Sequence, residues 1–248
     1  MNLEYKRIGI VIPARYQSSR LPGKPLIDLH GKSMIMRTWE RCVEALPSDQ
    51  VFVATDSELI QKHCRGFGAQ VIMTSDSCLT GTDRLVEANE TLDLDLVINV
   101  QGDEPIIAPT EILEVIDFAK RNPGSVVNAV AVIHDKSEYL SRSIPKVAMS
   151  KSNKLLYMSR SPIPGSKNQN FEFSYKQICI YGFPKEALKL FKEHPKKTRF
   201  EDVEDIEILR FLELDMEVRM IEVSGNSMAV DTENDVIKIR KVISNIEG

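Results

Sequence analysis

The chain has 248 residues, 42% of them apolar, enough for one large α/β domain or two small ones with a full core. A formal charge of −4 at pH 7 excludes a protein that coats nucleic acid or an anionic membrane with a basic face. Four cysteines without a CxxC pair, and no run of about 18 apolar residues, point to reduced thiols, no membrane span and a cytoplasmic setting.

In chain order, apolar runs of strand character at 8–12, 51–54, 70–73 and 95–100 alternate with helical spacing over 33–46, 57–66 and 81–91. That alternation predicts βαβ units and a doubly wound, mostly parallel, Rossmann-like sheet. A helix from Pro109 to about Lys120 and a strand over 125–133 follow. Beyond 134 the pattern changes: "KVAMS", "LLYMS" and "YKQICIYGF" read as strands with few helices between them, a strand-rich lobe. Helices at 184–193 and 201–213, a strand near 217–223 and a last helix over 232–246 complete the reading. We expect a single domain, 1–248, with a ligand-binding half at 1–133 and, at 134–248, a half that covers the cleft or makes a dimer contact.

Two motif resemblances fail. "HGKS" at 30–33 lacks the first glycine of a phosphate-binding P-loop, whose position holds Leu26. "GFGAQV" at 66–71 precedes a strand where a dinucleotide fingerprint would follow one. The four histidines are scattered, so any metal would be held by carboxylates.

Five stretches carry possible chemistry. After the first strand, Arg15, Arg20 and Lys24 share a loop with four prolines and glycines, Pro13, Pro22, Gly23 and Pro25; it reads as non-helical and stiff. It suits a triphosphate, with backbone N–H groups near Ala14, or is a solvated surface loop. "VINVQGDEP" ends a buried strand in Asp103 and Glu104, where a doubly wound sheet binds its ligand, although Asp and Gly also simply form turns. Asp231 in "VDTEND" is either an N-cap of the last helix or a partner of Asp103 across a cation. In "TGTDRL", Thr80 or Thr82 caps a helix or meets a ligand. Arg160, Tyr181, Glu204 and Glu207 offer a grip for a carboxylate and hydroxyls, or are surface residues.

Taken in order, "IPARYQSSRLPGKPL", "VATDSE", "TGTDRL", "NVQGDEP", "YMSRSPIP", "IYGF" and "VDTENDV" resemble the 3-deoxy-manno-octulosonate cytidylyltransferases, or CMP-Kdo synthetases, across nearly the whole chain. The resemblance implies the nucleotide-diphospho-sugar transferase fold and the activation of Kdo by CTP, with release of pyrophosphate, for lipopolysaccharide or capsule synthesis. It makes Arg15, Arg20 and Lys24 contacts for the CTP phosphates, and puts Ala14, Thr82, Arg84 and Gln101 near the nucleotide. Asp103 and Asp231 become ligands of Mg²⁺, with Lys24 and Arg15 beside them in catalysis. Gln101, Arg160, Tyr181, Glu204 and Glu207 fall at or beside the pocket for a 2-keto-3-deoxy sugar acid. It also implies a homodimer, for which the apolar segment 144–183 is suited. Gln177 stands where close members carry His, and loop 161–170 differs, so a modified Kdo, a sialic-type acid or a non-catalytic nucleotide-binding module are the alternatives.

Overall fold

The computed structural model describes residues 4–18, 21–168 and 170–247. The elements are β1 (Ile8–Ala14), β2 (Asp28–Leu29), β3 (Lys32–Ser33), α1 (Met34–Ala45), β4 (Val51–Thr55), α2 (Glu58–Gly66), β5 (Gln70–Met73), α3 (Gly81–Leu92), β6 (Leu96–Val100) and α4 (Pro109–Arg121). There follow β7 (Val126–Val132), α5 (Lys136–Leu140), β8 (Lys146–Met149), β9 (Leu155–Ser159), β10 (Tyr175–Pro184), α6 (Lys185–Glu193), α7 (Arg199–Glu204), α8 (Ile208–Glu213), β11 (Val218–Glu222) and α9 (Glu233–Glu247).

The chain forms two compact units: Lys6–Leu113 with Asn226–Gly248, and Met1–Tyr5 with Glu114–Gly225. This division differs from halves at 1–133 and 134–248 in two ways. The boundary falls inside α4, and the C-terminal segment rejoins the first unit.

In the first unit β1 is central, paired in parallel with β4 (Ile10↔Val51 to Ala14↔Thr55) and with β6 (Ile8↔Leu96 to Val11↔Asn99), while β4 pairs in parallel with β5. β4 and β6 are buried at every position, which is why both read as unbroken apolar runs. The chain steps outward from β1 to β4 and β5, then returns to the other side of β1 as β6. The reversal leaves a crevice at the carboxyl ends of β1 and β6, where open α/β sheets bind ligands. From those two ends emerge the cationic loop and the Gln101–Glu104 turn. The first turns of the helices are set by capping: Ser33 accepts from Met36 N–H for α1, and Thr80 and Asp83 form a reciprocal capping box for α3.

A buried apolar cluster of Leu21, Leu29, Met34, Val230, Val236, Ile239 and Ile243 ties the cationic loop and α1 to α9. Each such side chain contributes about 1.5–3 kcal/mol relative to exposure. This packing fixes Lys24 and Asp231 although the sequence separates them widely. The loop is not wholly irregular, as its prolines suggested: Lys24–Leu26 forms a 3₁₀ turn entered from Gly23 at φ 68°. Pro25 is tolerated because the start of such a turn requires no N–H donor.

In the second unit β7 lies between β11, parallel, and β10, antiparallel; β10 also pairs with β8, and β8 with β9, both antiparallel. Parallel and antiparallel pairs together give the mixed α/β class expected, with the strand-rich lobe in this unit. The helix expected over 201–213 is two helices, because Asp205 adopts the left-handed region at φ 51° between α7 and α8. The two are locked by Arg210, whose guanidinium meets both oxygens of Glu201 at 2.6 Å with both side chains fully buried and Phe191 stacked beneath it.

Candidate active site

Asp103 follows β6 by three residues and is held by the turn itself. Glu104 N–H donates to Gln101 O at 3.2 Å, Thr38 Oγ1 donates to Gly102 O at 3.2 Å, and Val230 N–H donates to Asp103 O at 3.0 Å. Gly102 suits the tight space here: a Cβ would stand 3.0 Å from Pro13 O and 3.3 Å from Ile35 Cδ1, so its neighbours would have to give way. The buried Glu104 carboxylate accepts from Ser227, a second tie between this turn and the C-terminal segment.

Asp231 lies two residues before the last helix, and the cap is made by its neighbour. Thr232 forms it with Asp235: the Asp235 carboxylate accepts from Thr232 N–H at 3.0 Å, and Thr232 Oγ1 accepts from Asp235 N–H at 3.3 Å. The Asp231 carboxylate is thereby turned to another task. Lys24 Nζ donates to Asp103 Oδ2 at 2.5 Å and to Asp231 Oδ1 at 3.1 Å, so the two aspartates converge on a single cation. Side-chain exposures of 18%, 22% and 30% make this a half-shielded triad, less screened than a surface ion pair. Burial acts to lower the Lys24 pKa, but Asp103 first and then Asp231 outweigh it, and the ammonium titrates above the ordinary lysine value.

Two hard carboxylates within reach of one cation fit Mg²⁺ by their chemistry. Among the described residues no group of three or more His, Cys, Asp and Glu could hold a metal. A metal at Asp103 and Asp231 would therefore complete its shell with phosphate oxygens and water, as Mg²⁺ commonly does.

The remaining residues expected near the nucleotide are distributed as follows. Ala14 ends β1 and is buried, and Arg15 after it is exposed. Gln101 reaches back toward "TGTDRL": its Nε2 lies 3.3 Å from where a Gly81 Cβ would stand, so that glycine admits the amide. Thr82 is buried within α3. Arg84 is buried and turned inward, donating to Asp56 Oδ2 at 3.1 Å and to Thr74 Oγ1, so it braces the wall that α3 and the "VATDSE" turn form. Arg20 lies outside the described residues.

The second unit gathers the other group around Glu204. Its carboxylate accepts from Ser159 Oγ at 2.6 Å, Arg160 N–H at 2.8 Å and Tyr157 Oη at 3.3 Å. Burial pushes this carboxyl up, but those donors prevail and hold it below the usual range. The Arg160 guanidinium donates to the carbonyls of Glu204 (2.5 Å), Asp205 (2.8 Å) and Arg142 (3.1 Å). It thus organises backbone from two segments besides its own. Tyr181 stacks on Phe183 with centroids 5.6 Å apart, and Phe183 packs on Phe211 of α8, the helix that Glu207 precedes. Gln177 donates to Asn128 Oδ1 at 3.0 Å, while Asn128 donates to the carbonyls of Ile178 and Ile180 where β10 shifts register.

Sequence reasoning missed the Lys24 bridge, the Glu104–Ser227 tie and Lys146. Lys146 is fully buried and donates to the carbonyls of Ser141 (2.6 Å), Ile144 (2.7 Å) and Arg160 (2.7 Å). Its only signal was a lysine opening an otherwise apolar strand, "KVAM".

A parallel sheet whose switch-point crevice carries a cationic loop and a carboxylate pair has the architecture of nucleotide-binding α/β proteins. Residues 9–218 match the family model described as cytidylyltransferase, and the chain belongs to that family. It is 40% identical over 242 residues to the mitochondrial 3-deoxy-manno-octulosonate cytidylyltransferase of Arabidopsis thaliana, covering 96% of this chain and 83% of that protein. It is 38% identical over 236 residues to the 8-amino-3,8-dideoxy-manno-octulosonate cytidylyltransferase of Shewanella baltica (strain OS155), covering 93% and 96%. Among solved structures, CMP:2-keto-3-deoxy-manno-octonic acid synthetase complexed with CTP matches at TM-score 0.88 and 35% identity, covering 97% of this chain and 99% of that one. The family read from the motifs is the family found.

Proposed function

We propose that the protein transfers CMP from CTP to 3-deoxy-D-manno-octulosonate, giving CMP-Kdo and pyrophosphate. The observation that carries this reading is the convergence of Lys24, Asp103 and Asp231 at the switch-point crevice. The relatives at 38–40% identity named for this chemistry support it. The anomeric hydroxyl attacks the α-phosphorus in line and pyrophosphate departs, with no covalent enzyme intermediate. Such a transfer asks the protein for positioning and charge neutralisation more than for a nucleophile.

Arg15, Arg20 and Lys24 take the triphosphate oxygens and stabilise the leaving pyrophosphate. Ala14, Thr82 and Gln101 line the nucleotide, with Arg84 bracing α3 behind Thr82. Asp103 and Asp231 would hold Mg²⁺, which when bound would supply neutralisation of the phosphate charge. In the second unit Arg160, Tyr181, Glu204 and Glu207 serve the sugar acid, with the Glu204 hydrogen bonds fixing where Arg160 lies.

The product is an activated glycosyl donor, which suits lipopolysaccharide or capsule synthesis. Four free cysteines suit a reducing cytoplasm, and among the described residues no helix is long and apolar enough to cross a membrane. Leu156, exposed on β9, lies in the segment 144–183 that we assign to a homodimer contact. Light scattering then gives twice the 28.0 kDa chain mass, and a monomer at all concentrations rejects the assignment. A second acceptor, the 8-amino-3,8-dideoxy acid, is favoured by the Shewanella relative. Formation of a CMP-linked acid and pyrophosphate from CTP and either acid tests the reading; absence of both products rejects it.

A further inference from the structure

Lys24 has two calls on its single positive charge. As a contact for the triphosphate it must face phosphate oxygens, yet its ammonium is bonded to both of the carboxylates that would hold the metal. The lysine is placed there by its backbone: Gly23 in the left-handed region, its N–H bonded to Tyr16 O at 3.0 Å, and the 3₁₀ turn Lys24–Leu26 above the buried Leu21. The carboxylates are placed equally firmly, joined through Val230 N–H to Asp103 O at 3.0 Å. A Mg²⁺ ion sits about 2.0–2.1 Å from its oxygen ligands. An ammonium 2.5 and 3.1 Å from the same two carboxylates would face that ion at close quarters, and like charges so near one another repel.

We propose that Lys24 and the divalent cation compete for Asp103 and Asp231, so that the cation enters only when triphosphate oxygens draw the ammonium away. Lys24 thereby makes metal affinity conditional on nucleotide. The metal arrives with the substrate that needs it, and the two carboxylates are never left together without a counter-charge. This inference rests on the reading of Asp103 and Asp231 as metal ligands.

The test uses the full chain without nucleotide, with Mn²⁺ as probe and the free ion followed by electron paramagnetic resonance. Wild type is expected to bind Mn²⁺ weakly. Lys24→Met removes the competing charge, leaves both carboxylates and binds at least about tenfold more tightly, a difference of about 1.4 kcal/mol. Lys24→Arg keeps the charge and stays weak, and Asp103→Asn placed on Lys24→Met abolishes the gain. Wild type binding nucleotide-free Mn²⁺ as tightly as Lys24→Met overturns the inference, as does a gain that survives loss of Asp103. If Lys24→Met does not fold, tight Mn²⁺ binding by nucleotide-free wild type still overturns it and weak binding matched by Lys24→Arg supports it. The competition can fail while Asp103 remains essential to turnover, so its failure is distinguishable from that of the functional reading.

Discussion

Asp103 and Asp231 owe their proximity to backbone held from outside the carboxylates: the Val230–Asp103 hydrogen bond, the Glu104–Ser227 contact and the cap that Thr232 makes. Asp103 was legible in the sequence, because a carboxylate directly after a fully apolar strand lies at the ligand-binding end of a parallel sheet. The bridge through Lys24 was not, since its partners lie 79 and 207 positions away and no local pattern records such a distance. On the proposed function, Asp103→Asn keeps the shape of the side chain and loses its charge. We expect a fall in turnover of about a thousandfold, or roughly 4 kcal/mol of transition-state stabilisation, with the fold retained. The check is steady-state pyrophosphate release beside the circular dichroism spectrum; near-wild-type turnover in a folded variant rejects the assigned role.

At the level of elements, strand and helix periodicity identified every long element of the first unit, where buried parallel strands and amphipathic helices have distinct periods. It missed the β2–β3 ribbon, which depends on His30 and Gly31 at positive φ, and the break at Asp205, which no apolar spacing marks. Lys146 at the head of β8 is the element-scale feature with a measurable consequence. Burial first, and then the like charges of Arg160 and Arg142, push its ammonium down to about 8, with Glu204 opposing. Below that pH folded and unfolded chains both hold the proton. Between about 8 and the ordinary 10.5 the unfolded chain keeps a proton that the folded chain has released, so rising pH favours folding through this group. Lys146→Met leaves three carbonyls without their donor and is expected to cost about 2–4 kcal/mol near neutrality. Urea denaturation across pH 7–10 should show the stability of wild type relative to the variant increasing above about 8, and a constant difference contradicts the shift.

For the whole molecule, the α/β class and the family were both readable, the first from alternation of elements and the second from seven motifs in order. The division into units was not, because α9 joins the first unit through contacts between distant positions, the Leu21–Ile243 cluster and the Arg37–Glu247 ion pair among them. Which acid is accepted is the least legible property. Arg160 and Glu204 spend hydrogen bonds on backbone and on each other, so the number and kind of donors left for a sugar cannot be counted from residue types alone. The most direct measurement is pyrophosphate release by the purified protein with CTP and Mg²⁺, comparing Kdo, 8-amino-Kdo, a sialic acid and no acid. Release with Kdo or its amino analogue, and none without an acid, is the predicted result. No release with any acid, in a folded protein that binds CTP, would contradict the account and leave a nucleotide-binding module without catalysis.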